Sequence, residues 1–194
     1  MKKGLTELVF VLDRSGSMSG LESDTIGGFN AMLEKQKALK GDCVVTSVLF
    51  DDRYELLHDR IRLEGVMPLT NETYYVRGNT ALLDAIGRTI DKIGGVQQHT
   101  APGEQAEKVL FVIITDGMEN SSREYRYERV REMIERQKER YGWEFLFLGA
   151  NIDAISVASR FGIAPDRAVT YCPDGEGTRL NYEAVCCAAE CVRE

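Results

Sequence analysis

Residues 8–17 of the chain read LVFVLDRSGS, and this stretch decides the fold. The run Leu8–Leu12 is short and apolar throughout, which is typical of a strand buried on both faces of a parallel sheet. The run ends at Asp13, and the residues that follow alternate side chains that carry oxygen with Arg14 and Gly16. We therefore predict a core strand that runs into a polar loop at the edge of a sheet.

Apolar runs alternate with amphipathic stretches along the rest of the chain. The further predicted strands are Cys43–Phe50, Tyr54–Leu63, Val109–Thr115, Glu144–Leu148 and Ala168–Cys172. The predicted helices are Leu21–Leu39, Thr80–Ile93 (ended by Gly94 and Gly95), Ser121–Arg140, Ala154–Phe161 and Leu180–Val192. Strands separated by helices favour right-handed crossovers and a mostly parallel sheet covered on both faces. The second and third strands are too close in sequence for a crossover helix, so we expect them to pair as an antiparallel hairpin at one edge.

Length and charge limit the class of protein. A chain of 194 residues has the size of one α/β domain, so we predict a single domain over residues 1–194. The formal net charge of -7 disfavours a nucleic-acid groove and docking on an anionic membrane. The apolar run after Lys2 and Lys3 is too short for a signal peptide and has no small-residue cleavage site. We therefore expect a cytoplasmic protein.

Five cysteines occur, and their pattern indicates no metal or redox chemistry. The odd number and the missing export signal favour reduced thiols. A zinc site would usually show a C-x-x-C pair or nearby histidines, and neither is present. We interpret the cysteines as small packing residues. They are Cys43, Cys172, Cys186, Cys187 and Cys191.

A second predicted strand ends as the first one does, because Val109–Thr115 runs into Asp116. Ligands of doubly wound sheets bind beyond the carboxyl ends of the strands, where the direction of winding reverses. If the reversal falls between these two strands, Asp13 and Asp116 are neighbours, since adjacent strands lie about 4.8 Å apart. Two carboxylates at that spacing repel each other unless a positive charge lies between them.

The loop after Asp13 supplies further oxygen ligands. Alternation in the D-x-S-x-S pattern can point Asp13, Ser15 and Ser17 towards one centre, with Arg14 directed away. Carboxylates and hydroxyls are hard donors, which select Mg²⁺, Mn²⁺ or Ca²⁺ over softer metals. Ser15 or Ser17 could instead cap the following helix. The motif Thr115-Asp116-Gly117 and Thr80, just before a predicted helix, strengthen the prediction of a metal site.

Together these motifs resemble those of the von Willebrand factor type A domains, a family that includes the integrin I domains. The metal-ion-dependent adhesion site of that family consists of D-x-S-x-S, a loop threonine and the aspartate of T-D-G. The matching residues here are Asp13, Ser15, Ser17, Thr80 and Asp116. The resemblance covers nearly the whole chain. It implies a sheet ordered 3-2-1-4-5-6 with the third strand antiparallel, which places the first and fourth strands side by side.

The resemblance also implies a function. The ion, Mg²⁺ with Mn²⁺ or Ca²⁺ as alternatives, would keep one position open for an acidic side chain of a partner protein. Intracellular relatives often act as adaptors, including with AAA+ ATPases and in stress-resistance assemblies, so the resemblance makes such an assembly our best guess for the partner. We predict an interaction module rather than an enzyme.

Two alternatives remain at this point. One is a Mg²⁺-dependent hydrolase or phosphatase, and the other is a metal-free scaffold. Phosphatases of the haloacid dehalogenase type need a second aspartate where Ser15 stands, and the chain has no phosphate-binding glycine motif. The only histidines, His58 and His99, fall on the predicted edge strand and in a polar loop, where we expect surface residues rather than a catalytic base.

Two segments near these motifs have plain structural interpretations. Residues 119–122, ENSS, follow Asp116 and could contact a partner, but we favour a helix cap at Ser121 or Ser122. The helical stretch Arg123–Arg140 is rich in both charges, and we interpret it as a solvated face with i,i+4 ion pairs rather than a docking surface.

Overall fold

A six-stranded sheet forms the centre of the structure, a computed structural model that describes residues 1–194. Its strands are β1 (Lys2–Asp13), β2 (Cys43–Phe50), β3 (Tyr54–Arg62), β4 (Ala106–Thr115), β5 (Glu144–Ala150) and β6 (Ala168–Tyr171). Their order is β3-β2-β1-β4-β5-β6, and only the β2–β3 pair is antiparallel. The predicted doubly wound α/β fold is confirmed, including the antiparallel edge.

Five α-helices cover the two faces of the sheet. They are α1 (Glu22–Lys37), α2 (Leu82–His99), α3 (Tyr127–Tyr141), α4 (Ala154–Arg160) and α5 (Gly175–Arg193). Helices α2, α3 and α4 pack into the core on one face, and α1 and α5 pack into the core on the other.

Alternation along β1 divides its side chains between these two cores. Val9 and Val11 point into the core below α2, whereas Leu8, Phe10 and Leu12 point into the core below α1. All five are almost completely buried. A strand at the centre of a two-sided sheet has no solvated face, which is why Leu8–Leu12 contains no polar residue.

Helix α2 is longer than predicted, because Gly94 and Gly95 do not end it. Tertiary contacts hold the additional turn. The Gln97 side chain donates to Glu7 Oε2 over 2.7 Å and accepts a hydrogen bond from the Ala106 backbone N–H at 3.1 Å. These bonds outweigh the low helix propensity of the two glycines, which costs about 1 kcal/mol each.

Helix α3 begins later than predicted, at Tyr127, and the proposed caps at Ser121 and Ser122 are wrong. The carboxylate of Asp84, in the first turn of α2, accepts hydrogen bonds from the backbone N–H groups of residues 123, 124 and 125, each at 2.9 Å. Asp84 therefore satisfies donors that would otherwise start a helix, and it holds this segment against α2 instead.

Helix α3 nevertheless has the solvated face that its charges predict. Arg131 pairs with Glu135 at i,i+4 spacing over 2.8 Å, and both side chains are exposed.

Two predictions about exposure are corrected. His58 is only 7% exposed, because the register of β3 shifts next to Ser47 and turns the imidazole inwards. Burial lowers the pKa of His58.

All five cysteines are free thiols, but only Cys43 and Cys186 are buried. The other three, Cys172, Cys187 and Cys191, are exposed, so they are not packing residues.

No α-helix in the structure combines the length and the apolar character needed to cross a bilayer.

Candidate metal site

The predicted ligands lie together at the carboxyl edge of the sheet. Asp13 is the last residue of β1, and Asp116 directly follows β4. These two strands are parallel neighbours in which Leu12 pairs with Ile114. The winding of the sheet reverses between them, as the motif argument required. Asp13 and Asp116 are 1% and 4% exposed.

The carboxylate of Asp13 is fixed by two hydrogen bonds. Its Oδ1 accepts from the Ser15 backbone N–H at 2.7 Å, and its Oδ2 accepts from the Thr115 hydroxyl at 2.6 Å. Burial raises the pKa of Asp13, and these hydrogen bonds act in the opposite direction. The Tyr74 hydroxyl donates to the Asp13 backbone carbonyl at 2.6 Å, and this bond fixes the start of the loop that follows β1.

The three predicted hydroxyl ligands form one cluster. Ser15 Oγ lies 2.9 Å from Ser17 Oγ, and the Thr80 hydroxyl donates to Ser15 Oγ over 2.9 Å. Gly117 faces the same cluster. A Cβ on Gly117 would lie 2.8 Å from Ser17 Oγ and 3.0 Å from Thr80 Oγ1. The residue after Asp116 thus lies beside the hydroxyls of Ser17 and Thr80, so all five predicted residues lie on one rim.

Asp116 has an electrostatic environment that favours a cation. Burial raises its pKa, a hydrogen bond from Asn151 lowers it, and the negative charge of Asp13 raises it. No lysine, arginine or histidine offsets either carboxylate. Two buried carboxylates with hydroxyls on one side match the oxygen donors that Mg²⁺, Mn²⁺ and Ca²⁺ prefer. The residues therefore fit such an ion, and their role as ligands stays a prediction.

The site lacks the ligands of a softer metal. Nowhere in the structure do three or more histidine, cysteine, aspartate or glutamate side chains form a group that could hold a metal ion. The predicted set contains two carboxylates, and its remaining donors are hydroxyls.

Arg14 points away from the hydroxyl cluster, as predicted. Its guanidinium lies 2.5 Å from Glu55 and 3.4 Å from Asp51, on the side of β2 and β3. It is also completely buried, which the alternating pattern did not indicate.

Asn151 is a residue of the site that the sequence analysis missed. It follows β5, the strand next to β4, and its amide donates to Asp116 Oδ1 at 2.5 Å. Its φ is +52°, a left-handed conformation that asparagine tolerates better than most residues. The available signal was the position of a polar residue directly after a buried strand, which is the signal that identified Asp13 and Asp116.

Glu119 and Asn120 also have structural roles that the sequence did not indicate. Asn120 Oδ1 accepts from the Thr80 backbone N–H at 2.9 Å, so it orients the loop that carries the Thr80 hydroxyl. Glu119 accepts from the Leu83 N–H at 2.9 Å and caps the first turn of α2. The segment after Asp116 thus supports the site through the start of α2.

No protein-family model matches the sequence, and no curated protein matches it either. Solved structures do match the fold. Proximal thread matrix protein 1 of the mussel byssus, in a form with a zinc-occupied metal-ion-dependent adhesion motif, gives a TM-score of 0.65 at 16% identity. The ArnB paralog VWA2 of Sulfolobus acidocaldarius gives 0.56 at 16%. A von Willebrand factor type A protein of Catenulispora acidiphila gives 0.59 at 11%.

The matches cover 96%, 93% and 93% of this chain, but 46%, 44% and 41% of those structures. The chain thus spans less than half of each of these three structures. At these identities the likeness establishes the fold alone. The chain has the fold of the von Willebrand factor type A domains.

Proposed function

We propose that the chain is a metal-dependent protein-interaction module. The observation that carries this proposal is the convergence of Asp13, Ser15, Ser17, Thr80 and Asp116 on one rim of the sheet. We propose Mg²⁺ as the ion, with Mn²⁺ or Ca²⁺ as alternatives, because every donor is an oxygen. The zinc in the mussel structure belongs to that protein, and the hard donor set here favours Mg²⁺.

The charge balance supports an acidic partner. Asp13 and Asp116 supply two negative charges, and the three hydroxyls supply none, so a divalent ion bound there stays electrophilic. Mg²⁺ prefers six ligands in near-octahedral geometry. An Asp or Glu side chain of a partner can complete that shell with a charge-assisted contact. We propose an AAA+ ATPase or a stress-response assembly as the partner class, on the basis of the family resemblance.

Exposed apolar side chains beside the rim support protein binding rather than chemistry. Met118, two residues after Asp116, is 65% exposed, and Tyr75, in the loop before Thr80, is 43% exposed. Methionine and tyrosine are enriched in protein interfaces. Neither histidine touches the five predicted ligands, so no imidazole is placed as a general base. We propose that the module is not an enzyme.

The test is capture of partners from a cell extract in Mg²⁺ and in EDTA. We expect proteins that bind the immobilised wild-type chain in Mg²⁺, dissociate in EDTA and return with Mg²⁺ or Mn²⁺. The variant Asp13→Ala should capture none of them in either buffer. Asp59→Ala is the matched control, because Asp59 is an exposed carboxylate on β3 that pairs with Lys92. Binding that persists in EDTA would refute the proposal.

A further inference from the structure

Asp51 is a buried carboxylate beside the candidate metal site that the proposed ligand set does not include. It follows β2, whose last residue, Phe50, pairs with Asp13. Asp51 is completely buried. Its Oδ2 accepts a hydrogen bond from Arg77 Nε at 2.5 Å and lies 3.4 Å from Arg14 Nε. One buried carboxylate thus faces two guanidinium groups.

The two arginines belong to the two loops that carry the predicted hydroxyl ligands. Arg14 lies between Asp13 and Ser15, and Arg77 lies three residues before Thr80. Asp51 is therefore a bridge between residues 13–17, the DxSxS loop, and residues 77–80, the Thr80 loop. Its charge is opposite to that of both groups, so it can hold the loops at a fixed separation.

Backbone hydrogen bonds join the same segments. The Arg77 N–H donates to the Arg14 carbonyl at 2.9 Å, and the Gly16 N–H donates to the Gly78 carbonyl at 3.1 Å. The backbone carbonyl of Asp51 accepts from the Ala81 N–H at 2.9 Å. Two of these bonds join the two loops directly, and the third ties Asp51 to the residue after Thr80.

The arrangement is energetically costly to disturb. Burial alone would raise the pKa of Asp51, but the Arg77 hydrogen bond and the charges of Arg77 and Arg14 lower it overall. Arg14 is fully buried and has one further carboxylate partner, Glu55. The ring of Tyr75 lies 5.2 Å from the Arg14 guanidinium carbon and 5.5 Å from that of Arg77, which packs both groups together. Removing one member of a buried ion pair leaves an uncompensated charge.

We propose that Asp51 is a positioning residue, which binds Arg14 and Arg77 and so sets the distance between the DxSxS loop and the Thr80 loop. The inference rests on the proposed metal function. Mg²⁺ tolerates little deviation from octahedral geometry, so a site whose loops move apart binds it less tightly. Residues that orient metal ligands typically change the affinity by about 10–100-fold when they are replaced.

Two variants test this role. Arg77→Gln removes the bond between Asp51 and the Thr80 loop at a side chain that is 33% exposed, so it leaves no arginine buried without a partner. Asp51→Asn removes the charge from both arginines. Asp59→Asn is the control, because it removes an ion pair between an exposed aspartate of β3 and Lys92 of α2, neither of which contacts a predicted ligand. Calorimetric titration with MnCl₂ measures the affinity, and hydrogen exchange in EDTA measures protection of the Arg77 and Gly16 amides.

We expect both variants to bind Mn²⁺ about tenfold or more weakly than the wild type, and to exchange those two amides faster. Arg77→Gln leaves Asp51 with Arg14 as a partner, so we expect it to lose less stability in EDTA than Asp51→Asn, and it stays informative if Asp51→Asn does not fold. Wild-type affinity and wild-type exchange in Arg77→Gln would refute the inference and leave the metal function intact. A wild-type chain that binds no Mn²⁺ would refute the proposed function instead.

Discussion

Single residues set the space that a metal ion would occupy. Asp13 and Asp116 supply charge, and Gly117 leaves room for the hydroxyls of Ser17 and Thr80, which a Cβ at that position would meet. The absence of a side chain at Gly117 is therefore part of the site. Gly78, in the Thr80 loop, has a φ of +68°, so that loop also depends on a glycine.

Replacing Gly117 by alanine should weaken metal binding. The new Cβ would lie 2.8 Å from Ser17 Oγ and 3.0 Å from Thr80 Oγ1, so both hydroxyls must move. We expect a loss of about 1–3 kcal/mol in stability, as for other overpacked sites, and a clear loss of Mn²⁺ affinity by calorimetric titration. Gly103→Ala is the control, because nothing lies within 4 Å of its new Cβ. Equal affinities of the two variants would contradict our assignment of the hydroxyl cluster.

At the scale of elements, helix α2 connects the site to the core. Glu119 accepts a hydrogen bond from the first turn of the helix, and Gln97 in its last turn accepts one from Ala106 of β4. Asp84, also in the first turn, accepts hydrogen bonds from the segment that precedes α3. The helix contains Gly87, Gly94 and Gly95, which differ in their surroundings. The intrinsic helix propensity of glycine is the same at each position, so the effects of replacing these glycines differ only through the packing around them.

Gly95→Ala should stabilise the protein, and Gly87→Ala should destabilise it. Nothing lies within 4 Å of a Cβ at Gly95, so alanine gains about 0.5–1 kcal/mol from its higher helix propensity. A Cβ at Gly87 would overlap the ring of Tyr125, whose hydroxyl donates to Asp91 at 2.6 Å, and we expect a loss of about 1–3 kcal/mol. Urea unfolding of both variants measures the two changes. A destabilised Gly95→Ala would show that α2 does not continue through the glycine pair.

For the whole molecule, the sheet order is what assembles the site. The Thr80 and Ser15 hydroxyls are 65 residues apart in sequence, and Thr115 and Asp13 are 102 apart. In the folded chain they are in hydrogen-bond contact because β1 lies between β2 and β4. An ion bound at this rim would therefore bind the folded state and have no assembled site in the unfolded chain.

Thermal unfolding should consequently shift with Mg²⁺. A ligand that binds only the folded state stabilises it by about 2.7 kcal/mol when its free concentration is about 100-fold above the dissociation constant. We expect the melting temperature of the wild type to rise with MgCl₂ and to return to its starting value in EDTA. Asp116→Asn, which keeps the shape of the side chain, should lose most of that rise. A chain whose melting temperature does not respond to Mg²⁺ or Mn²⁺ would be a metal-free scaffold.

The sequence by itself determined the class of fold and the candidate ligands. Leu8–Leu12 and Val109–Thr115 are apolar on both faces because they lie at the centre of a two-sided sheet, and such runs are visible without a structure. Each run stops at an aspartate where the strand passes into the loop at the carboxyl edge of the sheet. Hydrophobic periodicity and motif spacing therefore indicate buried strands and their ends directly from the sequence.

Only the tertiary structure decided what supports those ligands. Asn120 bonds the Thr80 backbone N–H, and the Asp51 carboxylate contacts Arg14 and Arg77, which are pairings that no local sequence pattern indicates. Helix α2 passes through Gly94 and Gly95 because Gln97 finds partners on two strands, a contact that outweighs local propensity. His58 is buried because of a register shift in β3. Contacts between residues distant in sequence, and the register of one strand against another, are set by the packing of the whole chain.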